Sequence, residues 1–107
     1  MPTKEHAFPL ADHARDWLRL RITTHRGQVT EFLVQYETMI EDARIPVVRY
    51  DGAHGFAHRD VLNRRGDVVE KRRLPGGLSF GEALQVGERD LRVNWRRYRQ
   101  AFFRGPQ

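Results

Sequence analysis

The feature that most constrains this fold is a stripe near the C-terminus, with Phe80, Leu84, Gly87, Leu91, Trp95, Tyr98 and Phe102 spaced three and four apart. That spacing puts them on one face of an amphipathic helix. Ser79-Phe80-Gly81-Glu82 in front of it is a capping box. The Ser oxygen accepts from the third helical amide, and the Glu carboxylate reaches back to the cap. Pro75-Gly76-Gly77 isolates the segment from what precedes it. The pattern predicts a helix over 79–103. A helix with one apolar stripe needs another element to cover that stripe, and nothing upstream repeats the 3.6-residue pattern.

Upstream, the period is two. Leu18, Leu20 and Ile22 alternate with Arg19, Arg21 and Thr23; then Thr30, Phe32, Val34 and Tyr36 alternate with Glu31, Leu33, Gln35 and Glu37. Each is a half-buried strand, and Arg26-Gly27 between them makes a hairpin turn. Met39–Arg44 reads as a surface loop. Ile45–Asp51 is a third strand, begun or edged by Pro46. Phe56–Asn63 is a fourth, and the charged Val68–Leu74 an exposed fifth. The first sixteen residues lack periodicity and read as a loosely ordered lead-in. The expectation is a single α+β domain, residues 1–107, with an antiparallel meander of four or five strands over 17–74 packed against the one long helix.

Cysteine is absent, which removes disulfides and thiolate metal sites. No apolar run approaches the ~20 residues of a membrane span, and no signal peptide is evident; the reading is a soluble cytoplasmic protein with no membrane partner. The net charge is +5. Residues 1–88 carry thirteen cationic and thirteen acidic side chains, whereas 89–107 carry six Arg against Asp90 alone. The excess therefore belongs to the helix. Arg89, Arg92, Arg96, Arg97 and Arg99 lie mostly off the apolar stripe. Such a face is either an ordinary solvated surface or a footprint for phosphate backbones or an acidic protein.

Ionisable groups crowd into Arg49–Asp60, which holds Arg49, Tyr50, Asp51, His54, His58, Arg59 and Asp60. Three readings fit. In the first, His58 and Asp60 bond neighbouring strands, and Asp51 caps the turn. In the second, His54 and His58 act as general base and acid on a phosphodiester, held by a guanidinium such as Arg49, with Tyr50 and Asp51 completing the set. RNA cleavage by its own 2′-hydroxyl needs no metal and no cofactor. In the third, His54, His58 and a carboxylate from Asp51 or Asp60 form an open metal site.

Two stretches carry a resemblance: Val47-Val48-Arg49-Tyr50-Asp51-Gly52-Ala53-His54-Gly55-Phe56-Ala57-His58-Arg59-Asp60 and Asp90-Leu91-Arg92-Val93-Asn94-Trp95-Arg96-Arg97-Tyr98. They look like an uncharacterised family of small bacterial proteins. The Arg-Tyr-Asp and its His-containing turn are similar, more distantly, to the TumE-like toxins of toxin–antitoxin pairs. Those toxins have a Pro-His-His-x-His type run where this chain has Gly-Phe-Ala-His58. The resemblance implies an α+β toxin acting on RNA with a cognate antitoxin, and Arg49, Tyr50, Asp51, His54 and His58 are the positions that carry across. The leading expectation is an RNA-binding protein or metal-independent ribonuclease, with Arg59, Arg92, Arg96 and Arg99 on nucleic acid. The rival is a non-catalytic interaction module or accessory subunit that docks a protein or nucleic acid by its basic helix. The edge strand Val68–Leu74 also offers a homodimer contact.

Overall fold

The computed structural model describes residues 2–105, apart from the side chain of His54. Six strands run in order along one antiparallel sheet: β1 (Thr3–Pro9), β2 (Asp16–His25), β3 (Gln28–Ile40), β4 (Ala43–Asp51), β5 (His58–Leu62) and β6 (Val68–Arg73). A 3-10 turn, Ala53–Gly55, joins β4 to β5, and α1 (Phe80–Arg104) closes the chain. The α+β meander is as expected, with one strand more. Residues 3–9 are not a loose lead-in. They pair with β2 from Thr3↔Thr23 to Pro9↔Trp17. The pairing is made by backbone bonds, which leave no mark on hydropathy; Phe8 and Leu10 add apolar weight by packing against the core.

Met39–Arg44 is likewise not a loop. Strands β3 and β4 continue to Ile40 and from Ala43, with Glu41 at φ 56° in the tight turn between them. Left-handed backbone at Arg26 and Gly27 (φ 52° and 76°) turns β2 into β3, as type I′ hairpins require. Pro46 lies inside β4, and the register shifts between Tyr36 and Glu37, where Glu37 faces it. The irregularity accommodates a residue that cannot donate to the ladder.

The helix covers β3 and β4. Leu18, Phe32, Val34, Tyr36, Val48 and Tyr50 meet Ala83, Leu84, Leu91, Trp95 and Phe102 in one core. Phe80 packs edge-on against Phe32 at 5.5 Å, and Trp95 against Tyr36 at 6.0 Å between ring centres. Gly87 sets how closely the helix can approach. A Cβ there would stand 2.8 Å from Tyr50 Cγ, so the backbone rests on the ring. Both bonds of the predicted capping box form, from Glu82 N–H to Ser79 Oγ (3.1 Å) and from Ser79 N–H to Glu82 Oε1 (2.9 Å).

Two carboxylates peg tyrosines at the two ends of this core. Asp16, 1 % exposed, accepts from the Tyr36 hydroxyl and from Thr38 Oγ1 (2.9 Å). Asp90 Oδ2 accepts from both Tyr50 and Tyr98, each at 2.6 Å. Burial first, and then the carboxylate beside each hydroxyl, pushes Tyr36, Tyr50 and Tyr98 above the usual tyrosine range. At neutral pH folded and unfolded chains both keep these protons. Above about pH 10 only the unfolded chain releases them, so stability is complete below that point and drains as pH rises. Denaturant midpoints should hold steady up to pH ~10 and then fall, and Tyr36→Phe should weaken the fall. An unchanged midpoint between pH ~8 and ~11 would contradict the assignment.

Candidate functional site

The sheet face opposite the helix carries most of the segment singled out by the sequence. Register places Arg49 opposite Asp60 and Asp51 opposite His58. His58 Nε2 lies 2.9 Å from Asp51 Oδ1 and 3.6 Å from Asp60 Oδ2, while Nδ1 lies 3.3 Å from the Phe56 carbonyl. Lys71 Nζ stands 3.3 Å from Asp60 Oδ1, as an ion pair outside hydrogen-bond geometry. Arg49 Nε donates to Gln35 Oε1 (2.8 Å), and Gln35 Nε2 to Glu37 Oε2 (2.6 Å). Glu37 in turn receives Arg19, which also reaches Glu5 at 3.0 Å. Above this lattice is an open hollow of about 350 Å³ lined by Arg19, Arg21, Leu33, Gln35, Arg49 and Asp51.

Alternation in the sequence pairs Arg49 with Asp51 and His58 with Asp60 but leaves open whether the two pairs converge; the structure puts all four on one face and joins His58 to both carboxylates. Tyr50 does not belong with them. Strand alternation turns it to the helix face, where it is 5 % exposed and bonded to Asp90. The side chain of His54, placed in the 53–55 turn, lies outside the described residues. Among the described residues, no group of three His, Cys, Asp or Glu side chains is arranged to hold a metal ion.

The outer face is close to electrostatic balance: Arg19, Arg21, Arg44, Arg49, Lys71 and Arg73 stand among Glu5, Glu31, Glu37, Asp51 and Asp60. His58 is 3 % exposed, with both ring nitrogens engaged. A base must reach a substrate proton, and this imidazole is sealed beneath its neighbours. His58→Ala should therefore act on stability, since two carboxylates lose their common partner. A loss of about 2 kcal/mol is expected, or roughly 8–16 °C in the melting temperature. A melting curve unchanged from wild type would show that the ring holds nothing together.

The arginines named from sequence divide. Arg59 lies on the helix face, donating to Tyr98 Oη (3.0 Å) and paired with Glu70. Its buried Nε has no hydrogen bond. That side chain is 12 % exposed and clamped between these partners. Arg89, Arg92, Arg96 and Arg99, by contrast, recur at three and four along α1 and make one flank of it. Arg92 is bonded to Glu88 (2.9 Å) and lies 4.6 Å from the Phe8 ring centre. Arg96 lies over Trp95, and Arg99 lies 3.4 Å from Asp16.

The flank ends in an open notch of about 730 Å³. The turn before β2 supplies His13 and Arg15, and the first residue of β2 is Asp16; the helix supplies Trp95, Arg96, Arg97, Arg99 and Gln100. His13 and Arg15 were not foreseen. Nothing local marks them, because only the hairpin of β1 on β2 carries their turn to the end of the helix. That turn is firmly held: Trp17 Nε1–H donates to Ala14 O (2.8 Å), and Met39 N–H to Arg15 O (2.8 Å).

A family model covers this entire arrangement, matching residues 1–107. The chain belongs to the family described as Domain of unknown function (DUF7718). Among curated proteins and among solved structures, nothing matches it. In this DUF7718 chain, then, the functional case rests on where its charges sit. No described helix is long and apolar enough to cross a membrane.

Proposed function

We propose that this protein binds RNA, with the arginine flank of α1 as its contact surface and the phosphate backbone as its target. One observation supports this above others. The cationic excess is not spread over the molecule: it is carried by Arg89, Arg92, Arg96 and Arg99 and the neighbouring notch, whereas the outer sheet face is nearly neutralised by its own carboxylates. Guanidinium groups in a row suit phosphates, which they meet with paired N–H donors. Binding is favoured over cleavage because His58, the candidate base in the described structure, has no free nitrogen. Phosphate contacts position a strand without reading its sequence, so preference among sequences should be slight.

Salt dependence tests the proposal. Each phosphate neutralised on a single strand releases condensed counterions, so four contacts predict a log–log slope of about −3. Replacing Arg89, Arg92 and Arg96 with Gln should bring the slope to about −1, with an unchanged melting curve because none of the three lies on the apolar stripe. Anisotropy of a labelled single-stranded RNA, titrated from ~50 mM salt upward, measures both. Absence of binding at ~50 mM would overturn the RNA assignment and leave the flank as a dock for an acidic protein.

A further inference from the structure

We propose that the notch at the end of the arginine flank holds a terminal phosphate of the RNA strand, a phosphate monoester, and so gives the protein a preference for phosphorylated ends. This rests on the RNA-binding reading above and adds to it the part of the strand that is recognised.

A flat row of arginines meets a passing strand one phosphate at a time, and a phosphodiester carries one negative charge. The notch does something different, because it converges cations from two distant parts of the chain on one hollow. Arg15 comes from the turn before β2, and Arg96, Arg97 and Arg99 from α1. Arg15, Arg96 and Arg97 make no ion pair with any described carboxylate. The one acid present, Asp16, is already committed. Its Oδ1 accepts from Tyr36 and Thr38 and faces Arg99 Nε, and its Oδ2 lies 3.7 Å from His13 Nε2. Asp16 therefore serves as a buried anchor that orients Arg99 and His13 rather than as a charge presented to a ligand. His13 is turned by a second contact, its Nδ1 accepting the Arg15 N–H at 3.0 Å.

The cationic surplus that remains is more than one diester needs. A terminal phosphate carries close to two negative charges at neutral pH and three strongly accepting oxygens. Several guanidiniums around one such group make charge-assisted bonds that an internal phosphate cannot match. The hollow, at about 730 Å³, falls in the size range of small-ligand sites, with room for the end nucleotide. The guanidinium of Arg96, lying 4.4 Å over the Trp95 ring, offers a plane of the kind on which unpaired bases stack. Because the turn is anchored through the Arg15 carbonyl and the Trp17 indole, little ordering remains to be done on binding.

The test compares one short single-stranded RNA in three forms: hydroxyl at both ends, phosphate at the 5′ end, and phosphate at the 3′ end. At ~50 mM salt, at least one phosphorylated form should bind about tenfold or more tighter than the hydroxyl form, and which one does so identifies the end. Arg15→Gln should erase that advantage while leaving the affinity for the hydroxyl form within about twofold. Arg89→Gln, on the flank but away from the notch, should weaken all three forms alike. Both side chains are exposed, and equal melting temperatures would establish that neither variant has lost its fold. Equal binding of the three RNAs by the wild type, or an advantage that survives Arg15→Gln, overturns end recognition while RNA binding along the flank stands. Failure of all three RNAs to bind removes both.

Discussion

Asp90→Ala should lower stability by about 3 kcal/mol, because one carboxylate oxygen serves two phenols. Asp90 Oδ2 accepts from Tyr50 and Tyr98 at 2.6 Å each, Oδ1 accepts from Asn94 Nδ2 at 2.7 Å, and Tyr98 Oη itself accepts from Arg59 at 3.0 Å. Removing the carboxylate leaves the Tyr50 hydroxyl, on a side chain only 5 % exposed, without its acceptor. A hydrogen bond to a charged group contributes about 1.5–3 kcal/mol. Asp90 is itself only half-buried, so the lower part of that range applies to each of its two bonds from the tyrosines. In a domain of this size the loss corresponds to roughly 12–24 °C in melting temperature. Asp90→Asn keeps one acceptor oxygen and should cost clearly less. Thermal unfolding followed by far-ultraviolet circular dichroism measures both. If Asp90→Ala melted within a few degrees of wild type, the idea that this carboxylate ties the helix to β4 would fail.

A still larger loss, about 4 kcal/mol, is expected for Trp95→Ala. The indole is 4 % exposed and stands edge-on to Tyr36, which is fully buried. Truncation removes most of the apolar surface that this turn of the helix contributes, and it opens a cavity between helix and sheet that the surrounding rigid strands cannot close. Roughly 16–32 °C in melting temperature should go with it. Trp95→Phe, which keeps an aromatic ring in place, should recover about half. Were Trp95 mainly a platform for a base, the substitution would instead reduce RNA affinity and leave the melting curve nearly unmoved. The 4 % exposure argues for the core, with only the ring's rim reaching the notch under Arg96.

The elements that could be read from the chain are those whose signal is local. The capping box at Ser79 and Glu82 and the apolar stripe from Phe80 to Phe102 describe a helix before any contact is considered. Alternation about Leu18–Ile22 and Phe32–Tyr36 likewise describes strands with one buried face. β1 escaped notice because an edge strand is held largely by backbone bonds to its single neighbour, and Lys4, Glu5 and His6 hide any alternation. The run Met39–Arg44 misled because its acids and arginine suit a loop, although a two-residue turn needs only Glu41 and Asp42.

The candidate site was legible in part for the same reason. Strand parity alone put Arg49 and Asp51 on one face and Tyr50 on the other, and the register then matched them with Asp60 and His58. Parity does not say which face the helix covers, and that decided the roles of Tyr50 and Arg59. Both lie under α1, where burial demanded partners and Asp90 and Tyr98 supplied them.

By itself, then, the sequence determined that this is an α+β chain, that a meander precedes one amphipathic helix, and that the cationic excess lies on that helix, since period, caps and charge order are properties of neighbours along the chain. The tertiary structure alone decided that Arg59 is clamped, that His58 is sealed between Asp51 and Asp60, and that His13 and Arg15 join Arg96 and Arg99 around one notch. Those residues are about eighty positions apart, and only the pairing of β1 with β2 together with the packing of α1 across β3 and β4 brings them together.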